Sequence, residues 1–85
     1  MKEFTYTIKD EYGIHARPAG LLVKLAKGYA SCITLVRGSD TCDLKRLMPL
    51  MAMGVKQGET ITVKAEGTDE DACIESVSAF LEKSV

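Results

Sequence analysis

The only histidine in the chain, His15, stands in the stretch "GIHARPAG", with Arg17 two residues on and Pro18 directly after it. A neutral imidazole nitrogen is a nucleophile near pH 7. It can attack a phosphoryl group and carry it. The product holds about two negative charges. A guanidinium beside it can bind phosphate oxygens through charge-assisted hydrogen bonds. The residues around the pair must then hold both groups at one place, and the pattern says how. If a helix begins at Ala16, His15 is its N-cap, Arg17 its second residue and Pro18 its third. The first amides of a helix lack internal acceptors, and the helix dipole adds positive potential there. Together they make an anion site at Ala16, Arg17 and Pro18. Pro18 supplies no donor but fixes φ and stiffens the turn.

Imidazole caps a helix less well than Ser, Thr, Asp or Asn does. Such departures from local preference tend to mark functional positions. Gly13 lets the chain turn sharply and leaves the ring open to a partner. Phosphoryl transfer asks a protein mainly for positioning and charge stabilisation, and one His, one Arg and a helix start suffice. The spacing alone also suits an exposed histidine beside a loop. Hydrolysis by general base fits poorly, because no second nucleophile or paired carboxylate stands out.

Periodicity supplies the elements that would position this turn. "EFTYTIK" alternates Phe4, Tyr6 and Ile8 with polar residues, a strand with one buried face. Asp10 to Gly13 reads as a loop. From Ala16 to Lys27 a helix is expected, with Ala19, Leu22, Val23 and Ala26 on one stripe widened by Leu21 and Leu25. Gly20, Lys24 and Lys27 lie opposite, and Gly28 stops it. "CITLVRGSDTCD" predicts two strands turning at Gly38-Ser39. "DLKRLMPLMAM" predicts a short helix with Asp43 as N-cap, Pro49 in its first turn and Gly54 at its end. "TITVKAE" alternates again, with Ile61, Val63 and Ala65 on one side. The last helix is capped by Thr68 or Asp69 and carries Cys73, Ile74, Val77, Phe80 and Leu81 on one stripe. The order β-α-β-β-α-β-α, with one-sided strands and one-striped helices, predicts an α+β fold: an antiparallel sheet with helices on one face.

Composition narrows the classes. Eighty-five residues suit one domain with a modest core. The net charge of −1 argues against general nucleic-acid binding, which needs a basic surplus. Charge is nonetheless segregated. Tyr12 to Lys56 holds seven basic residues against two acids, and Glu59 onward holds seven acids against two lysines. Helix-terminus preference and chance can also produce that division. No apolar run approaches the roughly 18–20 residues of a membrane span, and the alternating start is unlike a signal peptide. Cys32, Cys42 and Cys73 are odd in number and lack a C-x-x-C; with a single histidine they make no zinc cage. They read as reduced, partly buried small residues of a cytosolic protein, with a redox role as the alternative.

"GIHARPAGLLVKLA", with "LKRLMPLMAMGVKQGETITVKAEGTDEDACI", resembles the HPr family, the histidine-containing phosphocarriers of the bacterial phosphoenolpyruvate:sugar phosphotransferase system. The likeness spans nearly the whole chain, 1–85, as a single domain. It implies an open-faced β-sandwich, four antiparallel strands with three helices on one side. It implies that His15 takes phosphate on Nδ1 from phosphorylated Enzyme I and passes it to IIA components of sugar transporters, with Arg17 steadying the phosphate. No metal or organic cofactor belongs to that step, and a cytoplasmic monomer suits it. A free-standing enzyme is not implied.

The short helix carries more apolar surface than one turn can bury, and flexible methionines suit a surface meeting several partners. The resemblance implies docking by this helix, beside Gly20, Lys24, Lys27 and Arg46. Leu47, Met48 and Met51 are expected to face partners, and Leu50 and Met53 the core. Position 46 departs from many Gram-positive relatives, whose serine there is phosphorylated by a regulatory kinase. Arg46 offers no hydroxyl, so that switch is expected to be absent. Arg46 also reads simply as a solvated helix residue, or as added positive potential at the docking face or phosphate site. Two other roles stay open: an HPr-like paralogue in a regulatory or nitrogen-linked phosphorelay, and a non-phosphorylated binding module for a transcription factor.

Overall fold

Ile61, Val63 and Ala65 alternate with Thr62, Lys64 and Glu66, and this stretch becomes an inner strand of the sheet. The computed structural model describes residues 1–85. In chain order its elements are β1 (Lys2–Thr7), α1 (Ala16–Lys27), β2 (Cys32–Arg37), β3 (Asp40–Asp43), α2 (Leu47–Met53), β4 (Thr60–Glu66) and α3 (Glu70–Ser84). The strands lie in the order β1-β4-β2-β3, every neighbouring pair antiparallel. β4 therefore lies between β1 and β2, which α1 connects.

Register brings the apolar residues to one face. Tyr6 lies opposite Ile61 and Phe4 opposite Val63. On the other side of β4, Leu35 lies opposite Val63 and Ile33 opposite Ala65. Cross-strand partners point to the same side of a sheet, so these side chains form one apolar floor. The helices cover that floor and leave the other face open. Ala19, Leu22, Val23 and Ala26 of α1, Leu50 of α2, and Cys73, Val77 and Leu81 of α3 are all buried in one core with it. Hydroxyl pairs cross the open face: Thr5 Oγ1 lies 3.3 Å from Thr62 Oγ1, and Thr7 Oγ1 3.0 Å from Thr60 Oγ1. This is the expected open-faced sandwich of four strands and three helices.

Several local expectations need correction. Asp43 does not cap α2. Its Oδ1 accepts from the Lys45 amide and its carbonyl from the Arg46 amide, so it closes a turn ahead of the helix. Leu44 is fully buried and its amide bonds Ile33 O, so the chain still follows the sheet there. The helix starts at Leu47, with Arg46 in the N-cap position and Pro49 in the first turn. Leu21 is not part of the buried stripe of α1: it is 50% exposed. Cys32 is exposed, while Cys42 and Cys73 are buried. On α3 the fully buried line is Cys73, Val77 and Leu81, and Ile74 and Phe80 only flank it.

Asp69 occupies the N-cap position of α3 but makes no capping bond with its side chain. Its carboxylate instead reaches the turn between α1 and β2. Oδ2 accepts from the Ala30 amide at 2.8 Å, and Oδ1 accepts from the Ser31 amide at 3.0 Å and from the Ser31 hydroxyl. Gly67 permits that approach: a Cβ there would lie 2.6 Å from Ser31 Cα. Glu70, the first helical residue, reaches back along the chain, its Oε1 accepting from the Gly67 amide at 3.2 Å, so no side chain caps the first amides of α3. One carboxylate thus ties the start of α3 to the far end of α1.

Candidate functional site

The turn before α1 is held from below by the loop between α2 and β4. Ile8 N–H donates to Glu59 O at 2.9 Å, Gly58 N–H to Ile8 O at 2.9 Å, and Ile14 N–H to Val55 O at 3.1 Å. Gln57 Nε2 donates to Lys9 O at 3.1 Å. From the far side, Val85 O accepts from Lys9 and Asp10 amides at 2.7 and 2.8 Å. Ile14 and Val55 are both buried beneath this lattice. Gly13 takes φ +65° and lies against the backbone of Val55 and Lys56. A side chain there would be strained by conformation and blocked by backbone.

From that fixed turn the chain enters α1 with His15 as N-cap, in extended backbone, and with no side-chain capping bond. Its ring is exposed, as are Ala16 and Arg17, while Pro18 and Ala19 are buried. The two inward residues therefore anchor the first turn and leave the three outward ones free. The first helix-closing bond runs from Ala19 N–H to His15 O at 2.9 Å. Ala16 and Arg17 amides have no backbone acceptor. Two unpaired N–H groups and the positive end of a 12-residue helix thus lie beside an exposed imidazole. Tyr12 adds a feature that sequence reading missed: its ring meets the His15 ring at 5.7 Å between centroids. An aromatic in the turn three residues before the histidine is the only signal of it in the chain.

Of four cations without partners, Arg17 lies in the first turn of α1, Lys24 and Lys27 lie in its last turn, away from His15, and Arg46 is the N-cap of α2. No ion pair of the structure involves Arg17, Lys24, Lys27 or Arg46. Lys24 and Lys27 are exposed along α1, with Gly20 half-buried between the turn and Lys24. Arg37, by contrast, is committed to Asp40 and Glu59, at 3.1 and 3.2 Å. α2 packs against α1 and shows an apolar outer side. Leu47 is 42%, Met48 77% and Met51 38% exposed, whereas Leu50 is buried and Met53 half-buried. Leu21 on α1, which the sequence placed on the buried stripe, is exposed as well.

An open-faced sandwich with an exposed imidazole at the tip of its first helix has the form of a small phosphoryl carrier. A family model described as the PTS HPr component phosphorylation site matches residues 2–83. The phosphocarrier protein HPr of Mycoplasma pneumoniae is 42% identical over 84 residues, covering 98% of this chain and 96% of that one. A solved mycoplasma histidine-containing phosphocarrier superposes with a TM-score of 0.95 at 36% identity, over 98% of this chain and 94% of that one. The HPr of Thermoanaerobacter tengcongensis, solved as a dimer, gives 0.78 at 37% identity, over 98% and 95%. The chain belongs to the HPr family. It is a phosphocarrier of the phosphotransferase system, and a phosphohistidine and a part in sugar transport follow from that membership. No helix is long and apolar enough to cross a membrane.

Proposed function

We propose that this chain, as a single domain, accepts phosphate on His15 Nδ1 from phosphorylated Enzyme I and donates it to IIA components of sugar permeases. The observation that carries the reading is the exposed imidazole at the N-cap of α1, beside the unpaired Ala16 and Arg17 amides and the unpaired Arg17 guanidinium. In the loading step the lone pair of the ring nitrogen forms a bond to phosphorus. The bond from phosphorus to the donor breaks, and its electron pair leaves with the donor. The new dianion lies where helix amides, dipole and guanidinium lower its energy without reorganisation. Unloading is the reverse with a different acceptor, so the site must favour the phosphorylated form without trapping it.

Docking is assigned to Leu47, Met48 and Met51 at the centre, with Gly20, Lys24, Lys27 and Arg46 around them. A carrier must leave each partner quickly, so the contact is small and transient. Unpaired cations favour acidic partner surfaces and speed encounter. Arg46 has no hydroxyl, so no phosphoserine forms at that position, and a kinase that modifies such a serine finds no substrate there. The carrier acts in the cytoplasm as a monomer, which size-exclusion chromatography with light scattering tests.

The deciding experiment mixes the protein with phosphoenolpyruvate, Enzyme I and magnesium. Acid-labile, base-stable phosphate forms on the protein, and His15→Ala abolishes it. Arg17→Ala keeps the fold and slows transfer by about 10- to 100-fold, the range of a lost charge-assisted hydrogen bond. No uptake by the intact protein would sink the reading. A panel of IIA domains then separates sugar transport from a regulatory relay.

A further inference from the structure

Tyr12 is 70% exposed, yet its ring stands edge-on to the His15 imidazole, with centroids 5.7 Å and planes 73° apart. Burial does not force that contact. The backbone beneath it is fixed: Tyr12 N–H donates to Asp10 Oδ1 at 2.8 Å, and Gly13 N–H to Asp10 O at 2.9 Å. Gly13 in turn lies against Val55 and Lys56. The turn therefore fixes the backbone from which the Tyr12 side chain projects, and the ring stands beside the imidazole.

His15 needs such a neighbour. Its side chain makes no capping hydrogen bond, and an exposed side chain without one samples several rotamers. Phosphoryl exchange requires in-line alignment of donor, phosphorus and acceptor, so ring rotation costs rate. Edge-to-face aromatic contact favours one ring orientation over the others.

We propose that Tyr12 is a positioning residue for phosphoryl exchange at His15: its ring holds the imidazole toward the α1 amides and shields one side of the phosphohistidine from water. The proposal rests on His15 as the carried site. Its most direct consequence needs no partner protein. In hydrolysis, a water oxygen bonds to phosphorus as the P–N bond breaks. The P–N electron pair returns to the ring nitrogen, which takes one water proton, and the other stays on the released phosphate. A ring against the imidazole obstructs part of that approach.

The test loads wild type, Tyr12→Phe and Tyr12→Ala with Enzyme I and phosphoenolpyruvate, removes Enzyme I, and follows the phosphohistidine by intact mass. Tyr12→Ala should lose phosphate about two- to tenfold faster than wild type, the span one aromatic contact can set. Tyr12→Phe, which keeps the ring, should retain the wild-type half-life. In transfer to a IIA domain, Tyr12→Ala should lower kcat and leave KM unchanged. A nuclear Overhauser effect between Tyr12 and His15 ring protons should be present in wild type. Normal uptake with equal half-lives and equal kcat overturns the proposal alone, as does a Phe variant that behaves like Ala or a missing Overhauser effect. Absent uptake in wild type overturns the proposal and the phosphocarrier site together.

Discussion

Gly13 and Val55 lie so close that a side chain on Gly13 would run into the Val55 carbonyl oxygen, with its Cβ only 2.8 Å from Lys56 Cα. That carbonyl already accepts the Ile14 amide, at 3.1 Å. The contact fixes where the chain emerges before His15. Gly13→Ala is expected to destabilise the protein by about 2 kcal/mol or more, from positive φ and overpacking together. It should also slow phosphate uptake in the molecules that remain folded. Urea unfolding and Enzyme I-dependent uptake measure the two. A variant with wild-type stability would mean the turn relaxes freely.

α2 divides its apolar residues between two tasks, and substitutions should separate them. Leu50 is 1% exposed, so Leu50→Ala should cost about 2–5 kcal/mol of stability. Met48 is 77% exposed. Met48→Ala should leave stability within about 0.5 kcal/mol and weaken binding to Enzyme I by about 1–2 kcal/mol, as an interface anchor does. Denaturation and calorimetric titration provide both numbers. Equal losses of stability at the two positions would contradict the division.

Asp69 makes stability depend on pH at the acid end. The Ser31 hydroxyl above all, and then the Ala30 amide, hold its carboxyl below the usual aspartate range. A folded-state value below the unfolded one contributes stability above the unfolded value, and that contribution is lost as pH falls through the folded one. The difference in Tm between wild type and Asp69→Asn should therefore be constant near neutrality. It should shrink as pH falls from about 3.9, the ordinary aspartate value. Thermal unfolding across that range, monitored by circular dichroism, checks it; a difference that grows in acid would reverse the assignment.

The three cysteines should differ in reactivity. Burial, helped by the Asp43 carboxylate, pushes the Cys42 thiol up; burial and then the Asp69 carboxylate do the same at Cys73. A raised thiol value leaves less thiolate, the reactive form. Iodoacetamide near pH 8 should modify exposed Cys32 in the native protein and reach the other two only in denaturant. Peptide mass mapping reads this directly, and early labelling of Cys73 would show that the core beneath α3 opens.

The strands and helices were largely legible because their causes are local. Ile61, Val63 and Ala65 alternate in β4, and Ala19, Leu22, Val23 and Ala26 recur at helical spacing in α1. Capping was less legible. Asp43 and Asp69 both have the chemistry of an N-cap, but a carboxylate takes the best donors within reach. For Asp69 those are Ala30 and Ser31, which lie 39 and 38 residues away along the chain. No local rule could weigh them. Leu21 was misread for a similar reason: its spacing extends the apolar stripe, but the width of the buried stripe depends on where α2 and α3 pack.

By itself, the sequence determined the pairing of a lone histidine with a nearby arginine at a helix start, and the alternation that makes a one-sided sheet. Both follow from spacing within a few residues, where backbone geometry alone sets which side chains share a face. Only the tertiary structure decided that Val55 supports the turn, that Tyr12 lies against the imidazole, and that Leu21 remains in water. Those are relations of distance and burial, and they exist only once β4 has brought its preceding loop beneath the start of α1.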